Sequence, residues 1–396
     1  MSFETTLNCV RALSKRGMDF GLERVRKILD GLGCPDEKLK IIHISGSNGK
    51  GSVAEYMTRI LLCCGKTVGT FCSPAVYDYL EQFKINGKNI DEQTYDRAFG
   101  AALKLAGSAT QFEVETAAAI YAFFLCGCEY AVLECGLGGT YDATNAVRGK
   151  ILALITSVSL EHTGVLGNSI ESICAHKSGI IKNCKVIVSA LQCEKAVRYF
   201  KNAGASFADK PIRIIDDGHF IYGNVEFENG IMGSVQPYNA ALAIEAARYL
   251  EIPETAIYYG VKQAKLGGRL EVIRANGVRY ILDGAHNPSA FAPLINYISG
   301  LNGQAEIIFG CLDDKDLEGN LRMLCEVAEK VTAVECPSPR AAKLEIISNA
   351  CKKYFKYCAE SQSVACALES AKSACVVVCG SFTLLKEAKE WIEKRQ

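Results

Sequence analysis

Ile41-Ile42-His43-Ile44-Ser45-Gly46-Ser47-Asn48-Gly49-Lys50-Gly51-Ser52 carries a β-branched apolar run through a glycine-rich turn into the helical periodicity of Gly51 to Cys64. Strand, loop and helix in that order are a phosphate site. Glycines let backbone N–H groups converge on phosphate oxygens, the helix N-terminus adds its positive end, and Lys50 offers a point charge to the β- and γ-phosphates. The fit to Gly-x-x-x-x-Gly-Lys-[Ser/Thr] is imperfect, because position 44 is Ile and Gly51 follows Lys50. A ligand-free glycine turn is the competing reading.

Outward from this loop, short apolar runs alternate with helical segments, the pattern of parallel strands joined by crossover helices, so the fold class is α/β. Strands are expected at 39–45, 130–135, 151–158, 185–190, 280–283, 305–311, 330–335 and 374–379, and their near-continuous apolarity predicts that both sheet faces are covered. Helices are expected at 21–32, 51–64, 91–106, 115–125, 238–250, 288–298 and 382–394. Residues 212–231 alternate around the turn signals Asp216-Asp217-Gly218, Tyr222-Gly223-Asn224 and Asn229-Gly230, which predicts antiparallel ribbons at an edge of the main sheet. Gly267-Gly268 separates two periodic regions, giving a mostly parallel, P-loop-type domain over 1–266 and a smaller domain over 267–396.

The 396 residues carry 44 Lys plus Arg against 44 Asp plus Glu, with 49% apolar residues, which excludes whole-chain disorder. Zero net charge gives no electrostatic reason to expect nucleic acid or an anionic membrane as partner. No window reaches the ~18 apolar residues of a membrane span. Nineteen cysteines, an odd number without a Cys-x-x-Cys pair, argue against a disulfide framework or zinc site and for a reducing cytoplasm.

Several residues invite chemistry on their own. Glu134 ends a buried strand, where open parallel sheets place ligands, and suits Mg²⁺ or a plain ion pair equally. His162 follows the next strand by a short turn, and Ser73 sits before Pro74 at a strand end, where a turn role is the alternative. Lys177 reads by default as a solvated helix residue. Asp283-Gly284-Ala285-His286-Asn287-Pro288 sets an acid at a strand end before a Pro-started helix, suited to a ribose hydroxyl and a phosphate, or to a simple Asn287 cap. Ser381 is at least an N-cap.

Gly46 to Ser52 resembles the Gly-x-Asn-Gly-Lys loop of the ATP-dependent Mur ligase superfamily, most closely its folylpolyglutamate synthase and dihydrofolate synthase branch. Leu22-Glu23-Arg24, Ser73-Pro74, Thr110 to Glu115, Leu133 to Gly139, Asp142 to Asn145, Glu161-His162-Thr163, Lys177 to Ile180, Asn239-Ala240, Gly268-Arg269, Asp283 to Pro288 and Asp314-Lys315-Asp316 are similar to that family's motifs, in its order, from about residue 20 to about 385. The resemblance implies a Rossmann-like α/β fold for the smaller domain and a reaction in the cleft between the domains. It assigns Asn48, Gly49, Lys50, Gly51, Ser52, Asn239, Arg269 and Asp283 to ATP, and Ser73, Glu134 and His162 to Mg²⁺. It places Phe112, Glu113, Tyr141, Asp142 and Ala143 beside the pterin-bearing substrate, and Lys50, Lys177 and His286 in catalysis. It also implies a CO₂-derived carbamate on Lys177, fifteen residues on from His162, a site for K⁺, and a cytoplasmic monomer.

The implied reaction is ATP-dependent addition of L-glutamate to a folate, to 7,8-dihydropteroate, or to both, through an acyl phosphate. A Mur-type ligase acting on another carboxylate and a non-catalytic nucleotide-binding relative are the alternatives. Four positions differ from the family's usual residues: Ala75, Gln82, Thr140 and Glu161. The lost cations at 82 and 140 lie on the substrate side.

Overall fold

The computed structural model describes residues 2–216, 218–301 and 305–395. Asp217, one of the expected turn residues, lies outside them. The chain forms two compact units: the first comprises Met1–Ala75, Tyr79–Gly230 and Gln236–Lys265, the second Val76–Asp78, Ile231–Val235 and Leu266–Gln396.

The first unit is built on eight strands in the order Lys88–Asn89, Phe83–Ile85, Val68–Phe71, Tyr130–Glu134, Lys40–Ser45, Lys150–Ile155, Lys185–Ser189 and Ser206–Ala208. The last six run parallel, and Phe83–Ile85 pairs antiparallel on both sides. The strand Lys40–Ser45 is buried beyond its first residue, and Tyr130–Glu134 is buried throughout, as strands covered on both faces must be. One face meets the helices Phe3–Ala12, Glu23–Gly31, Glu92–Lys104 and Gln111–Leu125 through Val10, Ile28, Phe99, Phe123 and their neighbours. Helix Lys50–Cys63, which starts at the phosphate loop, packs in turn on Gln236–Tyr249 and Glu254–Gln263.

Residues 212–231 form antiparallel ribbons as expected, but not at an edge of the main sheet. Ile212–Ile214, His219–Tyr222 and Val225–Glu228 make a three-stranded sheet of their own. Phe220 and Phe227 stack across it with ring centroids 5.5 Å apart.

The second unit holds six strands in the order Glu271–Ala275, Val278–Leu282, Cys375–Cys379, Glu306–Phe309, Lys330–Val334 and Tyr357–Ser361. The first pair is antiparallel and the remainder parallel. Every cysteine is a free thiol. No helix among the described residues is long and apolar enough to cross a membrane.

Candidate active site

Gly46 and Gly49 take φ of 147° and 91°, and each is crowded: a Cβ on Gly46 would strike Thr156, and one on Gly49 the side chain of Asn239. Only glycine fits both demands. Ser47 donates its amide to the Ser157 carbonyl at 2.8 Å, pinning the loop to the chain that follows the neighbouring strand. Lys50 folds back on its own turn, Nζ lying 3.1 Å from the Gly46 carbonyl and 3.2 Å from that of Ser47. The Ser52 hydroxyl and the Thr156 hydroxyl are buried without a hydrogen-bond partner among the described residues. Buried orphan donors at a loop of converging amides fit a phosphate and its cation. Asn239, held by Gln236 at 3.1 Å, therefore abuts the loop that the sequence pairs it with.

Beside the loop lies a pair the sequence did not reveal. Lys177 is buried, its side chain 1% exposed, and Nζ donates to Glu161 Oε1 at 2.6 Å. The default reading of Lys177 as a solvated helix residue is thus overturned, because the last turn of its helix, Ile170–Ser178, faces the core. Burial pushes the Glu161 carboxyl up, but the Lys177 and Lys50 charges outweigh it and hold the group at about 2. For Lys177, burial dominates and lowers the ammonium, while Glu161 opposes that shift.

The expected metal ligands leave one sheet edge. Phe71 pairs with Leu133 and Ile44 with Glu134, so Ser73, Glu134 and, past Ile155, His162 all emerge at the strands' carboxyl ends. Glu134 is buried at 6% exposure. Burial, and after it the Glu134 carboxylate, pushes the Cys72 thiol up, which puts Glu134 beside the chain leading into Ser73. His162 is exposed and adopts φ 45°, ψ 40°, a left-handed conformation that a non-glycine residue keeps only where its surroundings require it. A hydroxyl, a carboxylate and an imidazole are a donor set for a hard divalent ion. No cluster of three or more His, Cys, Asp or Glu suited to a metal occurs among the described residues, and this set, with its serine, is not such a cluster.

Of the residues expected beside the substrate, Phe112 lies against Gly136 and 5.6 Å from the Phe71 ring, and Tyr141 is 55% exposed, edge-on to His176. Ala143 is buried. The carboxylates of Glu113 and Asp142 are already committed. Glu113 closes a capping box with Thr110 and receives Arg24 at 3.0 Å on both oxygens. Asp142 takes the Leu137 amide at 2.8 Å and the Thr144 amide at 3.0 Å, bracing residues 137–144. Of the departures, Thr140 bonds the His176 carbonyl at 3.0 Å and Gln82 the Tyr79 carbonyl at 3.3 Å.

In the second unit, Asp283 accepts the Leu270 amide at 2.8 Å and the Ala285 amide at 2.7 Å, and burial raises its carboxyl although Arg269 pulls it down. Arg269 lies over the Phe382 ring at 4.2 Å, and His286 Nδ1 meets the Gly284 carbonyl at 2.8 Å. Asn287 caps Pro288–Ser299, and Ser381 caps Phe382–Leu384, as their positions predict.

Two α/β units, the larger with a glycine-rich strand-to-helix loop and with Ser73, Glu134 and His162 at its sheet's carboxyl edge, have the build of a Mur-type ligase. The Mur ligase middle domain matches residues 44–247, and the glutamate ligase domain of that family matches 268–382. The chain is 32% identical to the dihydrofolate synthase/folylpolyglutamate synthase of Escherichia coli K12, over 98% of this chain and 95% of the relative. Its fold superposes on E. coli FolC in complex with DHPP and ADP with a TM-score of 0.88 at 29% identity, covering 100% of this chain and 98% of that one. A bifunctional folylpolyglutamate synthase/dihydrofolate synthase with Mn, AMPPNP and L-glutamate bound gives 0.84 at 28% identity, over 99% and 98%. The chain belongs to the dihydrofolate synthase/folylpolyglutamate synthase family of Mur ligases.

Proposed function

We propose that this protein is an ATP-dependent amide ligase that joins L-glutamate to a folate, to 7,8-dihydropteroate, or to both. The observation that carries the reading is the loop 46–52, whose buried Ser52 hydroxyl and Lys50 ammonium await a phosphate and its cation. A carboxylate oxygen of the pterin-bearing substrate attacks the γ-phosphorus of ATP and ADP departs. The amine of L-glutamate then attacks the acyl carbon, losing a proton, and phosphate leaves. Lys50 neutralises charge on the transferring phosphoryl group, and the loop amides orient it. Asn239 fixes the loop from behind, while Arg269, Asp283 and His286 are assigned to the nucleotide and the transferred group. Phe112, Tyr141 and Ala143 supply the pterin wall, with Glu113 and Asp142 acting as positioning residues.

Ser73, Glu134 and His162 would hold Mg²⁺, which supplies charge neutralisation on the phosphates. A carbamate on Lys177 would set its own anion against Glu161, and a cation such as K⁺ or a second divalent ion would supply the neutralising charge there. Burial of Lys177 favours the neutral amine from which a carbamate forms. The reading keeps the protein in the cytoplasm as a monomer.

The test is phosphate release from ATP by purified protein, with dihydropteroate or tetrahydrofolate, each with and without L-glutamate. Release that needs both co-substrates supports the ligase. Release indifferent to either one would mark an NTPase instead.

A further inference from the structure

The first unit contains a second cationic pocket, on the edge of the sheet opposite the phosphate loop. Lys150 opens its strand, whereas the loop leaves the end of the adjacent parallel strand, whose Ile41 pairs with Lys150 and whose Ser45 pairs with Ile155. Five residues of strand, roughly 16 Å, separate the two edges. The pocket measures about 500 Å³ and is lined by Arg26, Asn145, Arg148, Lys150 and Lys182, with Glu23 as its acidic member.

Two of these cations are already neutralised. Arg26 forks onto Asp36 at 2.7 and 3.0 Å, and Arg148 reaches Glu37 at 2.9 Å. The two lysines are not. Lys150, 8% exposed, gives its ammonium to the Asn145 side chain and to the Ile180 carbonyl at 3.2 Å, and Lys182 reaches the Asn145 carbonyl at 3.3 Å. Neither has a carboxylate partner among the described residues. Burial first, and the Lys182 charge second, draw Lys150 down to about 8. A buried ammonium facing a like charge, hydrogen-bonded only to amide oxygens and with the Asp142 carboxylate acting on it without a direct contact, is costly unless an anion completes it.

We propose that the pocket around Lys150 and Lys182 binds a compact phosphate-bearing anion, at a site separate from the nucleotide loop. Paired ammonium groups are point charges, which match the concentrated charge of a phosphate better than the planar fork of a single carboxylate. Leu22 and Val147 give the pocket apolar walls with room beyond one phosphate group. Both lysines hold Asn145, so an anion on them would brace the segment directly after Asp142 and Ala143.

The experiment follows thermal unfolding of the full chain carrying Lys50→Ala, which removes the charge of the nucleotide loop, in metal-free buffer at constant ionic strength. Inorganic pyrophosphate at about 10 mM is expected to raise the Tm by about 2–5 °C, with slower hydrogen exchange over residues 140–150. Adding Lys150→Met or Lys182→Gln should abolish that rise. Lys150→Met should itself unfold no earlier than its parent, since it deletes an uncompensated buried charge. The proposal is overturned if pyrophosphate leaves the Tm unchanged, if the rise survives both lysine substitutions, or if citrate raises it equally.

Discussion

Lys50 and Glu161 are single residues on which much turns. Lys50→Ala removes the charge that faces the transferred phosphoryl group, and substrate-dependent phosphate release should fall by at least about 10²-fold, the usual cost of a central electrostatic donor. Near-full turnover in that variant would remove Lys50 from the mechanism. Glu161 has its folded pKa held at about 2, below the ordinary 4.5, so the stability it contributes is complete above pH 4.5 and is lost as pH falls towards 2. The shift corresponds to about 3 kcal/mol. Glu161→Gln should lower stability at pH 7 by about that amount and flatten the acid limb of a urea-unfolding profile between pH 4.5 and 2. An unchanged acid limb would show that the pair with Lys177 contributes nothing. The sequence placed Glu161 beside His162 but could not pair it with Lys177, because the two meet only once the helix carrying Lys177 packs against the loop. Glu113 and Asp142 illustrate the same limit: a motif names the residue, but only the fold says that Arg24 and the Leu137 amide already occupy its carboxylate.

At the scale of elements, the long apolar strands were legible to within one to three residues at each end, since burial on both faces leaves a continuous signal. Lys185–Ser189 and Lys330–Val334 are examples. Outside the ribbons of 212–231, the short or half-exposed strands were not legible, yet two of the missed pairings carried a turn signature. Asn86-Gly87 and Asn276-Gly277 both take left-handed φ and join Phe83–Ile85 to Lys88–Asn89 and Glu271–Ala275 to Val278–Leu282. An Asn-Gly pair between extended segments marks a hairpin. Helices such as Glu254–Gln263 were overlooked because mixed burial blurs their period, and Ile170–Ser178 was read as helical only at Lys177. The strand-to-helix turn at the phosphate loop offers a test of element geometry. Gly49→Ala combines positive φ with a clash at Asn239 and should weaken nucleotide binding at least about tenfold by calorimetric titration, at a stability cost above about 1 kcal/mol. Affinity equal to that of the parent would mean that the loop tolerates a side chain there.

At the scale of the whole molecule, the smaller unit is not simply the C-terminal portion of the chain. Val76–Asp78 and Ile231–Val235 belong to it, Tyr77 bonding Glu271 while Lys389 lies 4.1 Å over its ring, and Met232 packing on its core. The sequence pointed to a division near residue 266 from the glycines there, but single tyrosines and methionines carry no mark of the body they will join. Tyr77→Ala should lower the smaller unit's melting transition by about 1–3 kcal/mol in scanning calorimetry and leave the larger unit's transition in place. Equal displacement of both would mean that the units do not unfold independently.

The polypeptide passes between its two bodies five times, at 75/76, 78/79, 230/231, 235/236 and 265/266. A gene fusion made at one junction would therefore leave behind two peptides that the transplanted portion needs. A cassette carrying the smaller body to another scaffold must bring those peptides along, or replace Tyr77 and Met232 with substitutes of its own.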